Sequence, residues 1–285
     1  MSRVVWVQGT QLTRESSALA EADRVLLIES LPHVQRGRLH RHKAALVLTA
    51  MRRFAEDLRA DGREVDEVRL GENRSFADVL AGYDEVVVME PTGWQSQAAL
   101  AQLPNVRITP DTLFLCGREA FAGWAEGRKR VRMQEFYAWM RRTHGVLMDG
   151  DEPEGGRWSF DPENRETFAA WRRSGFAPTP PPAIDRDDPV LAEVQADLDR
   201  YAPGLVGRAE DFWLPTTRAE AEAWLADFVA HRLAGFGPFE DVSDPADPWL
   251  RHAAIAPLLN IGLLHPRDCV RSEEHTSELQ SRVDI

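Results

Sequence analysis

The chain has 285 residues, 43% of them hydrophobic and 28% charged, with a formal charge of -12. That size suits one large or two ordinary globular domains, and no apolar run approaches the roughly eighteen residues needed to span a bilayer. Two cysteines, Cys116 and Cys269, cannot build a disulfide framework or a four-thiolate metal site, and an acidic total argues against broad phosphate binding while leaving room for a local basic groove.

The first elements are strands. Val4 to Val7 is a short apolar run bounded by Gly9, as expected of a strand buried on both faces, and Val25 to Ile28 is a second. Ser16 to Ala22 between them predicts a short helix. Ala44, Leu48, Met51, Ala55 and Leu58 then recur at helical spacing until Asp61-Gly62 stops them. Val65, Val68 and Leu70 alternate as strand, Phe76 to Leu80 starts a helix, Glu85 to Met89 is a fourth strand, Gln95 to Leu103 is helical, and Val106 to Thr109 is a fifth strand. Strands alternating with helices over short links predict a doubly wound α/β domain with a parallel five-stranded sheet.

Ligands in such sheets bind beyond the carboxyl ends of the strands, where strand order reverses. Here those ends carry Gln8-Gly9-Thr10-Gln11, Glu29-Ser30 and Glu90-Pro91-Thr92-Gly93-Trp94. Gly9 would let the backbone approach a planar ligand whose edge Gln11 or Glu29 could bond; equally, Gly9 makes only a tight turn. There is no G-x-G-x-x-G after the first strand and no P-loop, so dinucleotide and P-loop readings lose their support. His40 and His42 alternate instead of sitting four apart, which reads as a basic helix start and not as a metal site. No nucleophile elbow or zincin motif occurs, so no catalytic or metal-ligating residue is assigned. The opening M-S-R-V-V-W-V is no secretory signal, and a cytoplasmic location is expected.

The second half reads as helices. Val131 to Met140 is amphipathic and follows the basic Gly127-Arg128-Lys129-Arg130, a solvated turn that could touch phosphate. Met140 to Arg165 is an acidic, glycine-rich crossing with Trp158 and Phe160, and Ala177 to Ala183 is a stiff polyproline spacer. Val190 to Arg200, Arg218 to Arg232 (Thr217 as N-cap) and His252 to Leu264 are the remaining predicted helices.

With these residues read, the chain from Val4 to Val270 resembles a bacterial cryptochrome/photolyase of the iron–sulfur group that includes prokaryotic (6-4) photolyases. The segment Arg132 to Arg165 carries the most specific match, supported by Ala50 to Arg59, Glu90 to Trp94, Trp124 to Lys129 and Leu259 to Leu264. The resemblance implies an α/β antenna domain over residues 1–149, a linker over 150–183, and the start of an all-helical FAD-binding domain over 184–270. It implies a ribityl-lumazine antenna at Gly9, Thr10, Gln11, Glu29, Ser30 and His33, and part of an FAD site at His252 and Asn260. FAD and a [4Fe–4S] cluster are the cofactors of the intact parent, which would repair UV-damaged DNA.

Departures from the family pattern qualify this expectation. The flavin-site segment H-S-x-L-S-P is here His252-Ala253-Ala254-Ile255-Ala256-Pro257, without its hydroxyls. The antenna G-D-Q is Gly9-Thr10-Gln11, and neither cysteine falls at a cluster position. Arg271 to Ser281 looks like translated sequencing adapter, so residues 271–285 are expected to be non-native and the fragment inactive. That tail carries a net charge of -2, leaving -10 on the first 270 residues. The competing expectations are a signalling cryptochrome that addresses a partner protein, and a free-standing chromophore- or nucleotide-binding α/β module.

Overall fold

The apolar runs do become strands: β1 Arg3–Trp6, β2 Arg24–Ile28, β3 Glu64–Val68, β4 Glu85–Met89 and β5 Val106–Thr109. The computed structural model describes residues 3–21, 24–36, 39–158 and 164–272. The strands form one sheet in the order β3-β2-β1-β4-β5, and every neighbouring pair is parallel. The order runs outward from β1 in both directions, so it reverses between β1 and β4. This is the doubly wound topology that the alternation of elements required.

Two compact units are present. One comprises Met1–Phe114, Ala183–Ala221 and Pro257–His265; the other comprises Leu115–Pro182, Glu222–Ala256 and Pro266–Ile285. Residues 183–221 belong to the unit that contains the sheet.

In the first unit, alternate strand residues point to opposite faces. Val4, Trp6, Leu26, Ile28, Val86 and Val88 pack on one side against Val79 and Leu80 of α3 (Phe76–Leu80) and Leu100 of α4 (Trp94–Leu100). The long helix α2 (Arg41–Ala60) packs against β3 and against α8 (Pro189–Tyr201). Contact on two sides explains why α2 buries Arg41 and Arg52 as well as Ala44, Leu48, Met51 and Leu58. Gly62, at φ +85°, ends the turn that follows it.

Some local expectations needed correction. The helix expected from Ser16 is a single 3₁₀ turn, Ser17–Ala20. Leu70 is not in a strand but opens a 3₁₀ turn that closes on Glu72. The helix expected over His252 to Leu264 shrinks to α11, Ala256–Ile261. Ala254, with a positive φ of 58°, keeps the helix from extending upstream, Pro257 sits in its first turn, and Gly262 at +83° breaks the far end. Thr217 does cap α9 (Arg218–His231): its Oγ1 accepts from Glu220 N at 3.2 Å, and Glu220 accepts in return from Thr217 N at 3.1 Å.

In the second unit, α5 (Arg118–Ala125) and α6 (Met133–His144) form a hairpin around Phe121, Trp124, Phe136 and Trp139. Gly145 ends α6 at φ +66°. The crossing that follows makes a short antiparallel pair, β6 (Met148–Asp149) with β7 (Glu152–Pro153). Arg141 binds the carbonyls of Val146 and Leu147, and Trp158 lies under the guanidinium groups of Arg141 and Arg142, at 5.5 and 4.1 Å. Phe160 and the tail 273–285 lie outside the described residues. A separate aromatic core joins Trp171, Phe239, Val242 and Leu250.

Candidate functional site at the carboxyl ends of the strands

The reversal between β1 and β4 places Gln8 to Gln11 beside Glu90. A turn closed by Gln11 N on Gln8 O (2.8 Å) carries Gln11 inward, where it is only 1% exposed. Its Nε2 donates to Met89 O at 3.2 Å and Glu90 O at 2.9 Å, so one side chain crosses the switch point. Its Oε1 is buried and accepts no hydrogen bond from any described residue. A buried acceptor left unmade costs free energy, and the buried Gln8 Nε2 of the same turn likewise has no partner among the described residues. Thr10 beside it is exposed.

Gly9 has a packing role. A Cβ built there would lie 2.6 Å from Val47 Cγ1 and 3.0 Å from Met51 Sδ. The missing side chain lets α2 close on the turn, so the space that Gly9 leaves is filled by the protein itself.

Glu29 is engaged at both oxygens. Oε1 accepts from Arg52 Nε at 2.7 Å, and Oε2 accepts from Arg52 Nη2 at 2.8 Å and from Leu70 N at 2.9 Å. Both side chains are almost completely buried. Arg52 reaches on to Asp197 at 2.6 Å and Glu193 at 3.3 Å on α8. Burial opposes the guanidinium charge, but the hydrogen bonds and charges of Glu29 and Asp197 outweigh it and raise the Arg52 pKa above its ordinary value. Arg53 pairs with Asp188 and Arg41 with Asp199 in the same interface. Sequence reading missed this network, because its partners stand 23 and 145 residues apart.

Ser30 also serves the backbone. Its hydroxyl donates to Arg74 O at 3.1 Å, and its carbonyl accepts from the amides of His33 and Val34 as α1 (Leu31–Arg36) begins. His33 is exposed, with its ring 5.4 Å from that of Phe76. The six residues assigned to an antenna ligand therefore divide. Gly9, Glu29 and Ser30 hold the edge together, while Thr10, Gln11 and His33 keep groups that a ligand could address.

The two residues assigned to a flavin site fall in different units. His252 donates or accepts through Nε2 with Val242 O at 3.2 Å, and its carbonyl accepts from Arg232 at 3.0 Å. Asn260 is exposed on α11. Ala253 and Ala256 stand where the family pattern has serines, so the segment offers no hydroxyl to a cofactor phosphate and does not fit one. Cys116 and Cys269, the only thiols, do not fit a cluster that takes four thiolates.

A cleft of about 220 Å³ in the first unit is floored by Leu12, Ala50, Phe54 and Leu263. Two of its cations, Arg14 and Arg53, are already paired, with Asp61 and Asp188. No helix among the described residues is long and apolar enough to cross a membrane.

Comparison with known proteins gives a consistent result. A family model described as deoxyribodipyrimidine photo-lyase-related protein matches residues 5–214. A (6-4) photolyase of Agrobacterium fabrum is 32% identical over 96% of this chain, an alignment that covers 57% of that protein. An uncharacterised protein of Acanthamoeba polyphaga mimivirus is 42% identical over 49 residues, which is 17% of this chain and 25% of that one. A crystal structure of a bacterial class III photolyase from Agrobacterium tumefaciens superposes with a TM-score of 0.44 at 14% identity, covering 98% of this chain and 57% of that one. That superposition is too loose to carry an argument. The chain spans little more than half the length of the (6-4) photolyase it matches.

Proposed function

This chain belongs to the deoxyribodipyrimidine photo-lyase-related protein family, and from that premise we propose that it supplies the α/β part of a light-driven DNA-repair flavoprotein acting on UV-damaged DNA. The observation that carries the reading is 32% identity to a (6-4) photolyase maintained over 96% of this chain. In the whole protein a reduced FAD would supply the electron that repairs a flipped-out pyrimidine photoproduct. The segment His252 to Pro257 does not suit that cofactor's phosphates, and the two thiols do not suit a [4Fe–4S] cluster. The role assigned to this chain is accordingly support and light collection, with no catalytic residue of its own.

For light collection we assign a ribityl-lumazine to Thr10, Gln11 and His33. The buried Gln11 Oε1 is the acceptor for a ring N–H, and Glu29 and Ser30 fix the backbone behind it.

The test is a graft. Residues 1–149 replace the corresponding part of the Agrobacterium fabrum (6-4) photolyase, and light-dependent repair of (6-4) lesions is assayed. Repair at a rate within about tenfold of the parent is expected, a loss under about 1.4 kcal/mol in the barrier. A folded, flavin-loaded graft without repair would contradict the reading.

A further inference from the structure

We infer that the tip of the α5–α6 hairpin is a docking surface for the phosphate backbone of duplex DNA, with Lys129 and Arg130 as phosphate contacts and Val131 and Met133 as their apolar flank. The choice of polyanion rests on the repair reading above; the surface itself rests on the hairpin. Residues 127–132 carry Arg128, Lys129, Arg130 and Arg132 and no carboxylate. Over residues 118–144, seven Arg and Lys stand against three Glu, a net of +4 in a chain of -12. At about 0.1 M salt, charges more than about 10 Å away are largely screened, so the local sign governs an approaching polyanion.

The four tip cations are not equivalent. Arg128 donates to Trp124 O at 2.7 Å and to Glu135 at 3.1 Å, and its guanidinium lies 4.4 Å from the Trp124 ring. Arg132 stands 3.9 Å from Glu135. Lys129 and Arg130 make no hydrogen bond or ion pair with any described residue. Beside them Val131 is 55% and Met133 78% exposed, although the hairpin already has its own aromatic core of Phe121, Trp124, Phe136 and Trp139.

Uncommitted cations beside exposed apolar side chains suit a duplex, where cations hold phosphates and apolar groups meet the groove. The aromatic core holds the tip in place, which lowers the ordering cost of contact. An anionic bilayer is the poorer match. An interfacial helix needs a continuous apolar face, whereas the exposed side of α6 includes Gln134, Glu135, Arg142 and Thr143.

Fluorescence anisotropy of a labelled, undamaged duplex, measured in the dark with the full chain, tests the inference. Neither flavin nor lesion enters that measurement, so its outcome is separate from the success or failure of the repair reading. The wild-type chain should bind at low salt, and K129E/R130E should bind at least about tenfold more weakly with an unchanged circular dichroism spectrum. Its log–log salt slope should fall by roughly 2, near 0.9 per phosphate contact. K129R/R130K should retain both affinity and slope. Equal binding by wild type and K129E/R130E would overturn the inference. So would absence of wild-type binding at low salt, or tighter binding to phosphatidylserine vesicles than to the duplex.

Discussion

The carboxyl edge of the sheet and the tip of the α5–α6 hairpin are both rich in charge, and they use it in opposite ways. At the sheet, Glu29, Arg52 and Asp197 are paired with one another, and α2 is fastened to α8 through them. At the hairpin, Lys129 and Arg130 remain uncommitted on a rigid base. Charge at the strand ends is therefore by itself a poor guide to ligand contact in this chain. A buried and fully bonded carboxylate such as Glu29 is part of the scaffold, whereas the buried Gln11 Oε1 accepts no hydrogen bond from any described residue.

The largest expected effect breaks the scaffold side of this comparison. Glu29→Ala leaves Arg52 buried with only its outer partners Asp197 and Glu193, and takes the acceptor from Leu70 N. Removing one member of a buried ion pair costs about 3–5 kcal/mol, which urea unfolding followed by circular dichroism should show. Gly9→Ala comes next. Its new Cβ meets Val47 at 2.6 Å, and overpacking of this kind costs about 1–3 kcal/mol, again measurable by urea unfolding. A stability change below a few tenths of a kcal/mol would return Gly9 to the role of an open cradle.

The smallest effect concerns Tyr83, whose hydroxyl donates to Asp66 at 2.8 Å. Burial first, then the hydrogen bond and charge of Asp66, push its pKa up to about 12. An unfolded Tyr ionises near 10, so the unfolded chain loses its proton first as pH rises. The stability Tyr83 contributes is complete below about pH 10 and is lost as pH rises through about 12. Ultraviolet titration should show one of the three tyrosines ionising late, and Y83F should remove that late phase.

Much of the sheet was legible because a strand buried on both faces is a continuous apolar run. Val4 to Val7, Val25 to Ile28 and Val86 to Met89 need no partner information to be recognised. The hairpin helices were legible from their 3.6-residue period. The bonding at the strand ends was not. Glu29 reads the same whether it faces a ligand or an arginine, and the answer lies in Arg52 and Asp197, far along the chain. Gly9 likewise reads as permissive until Val47 and Met51 are seen to fill its space. The overlong helix at His252 to Leu264 came from following apolar spacing back through Ala254, whose positive φ the pattern did not announce, and on past Gly262. That the acids of α8 answer the arginines of α2 was not legible either, because the partners stand 135 to 158 residues apart.

The central claim is that Glu29 belongs to the scaffold, and a double-mutant cycle over Glu29→Ala and Arg52→Ala tests it most directly. Unfolding free energies of wild type, both single variants and the double variant should give a coupling of more than about 1.5 kcal/mol, within the range of about 0.5–3 kcal/mol seen for residues in contact. A coupling indistinguishable from zero would contradict the claim and return Glu29 to the list of residues that face a ligand.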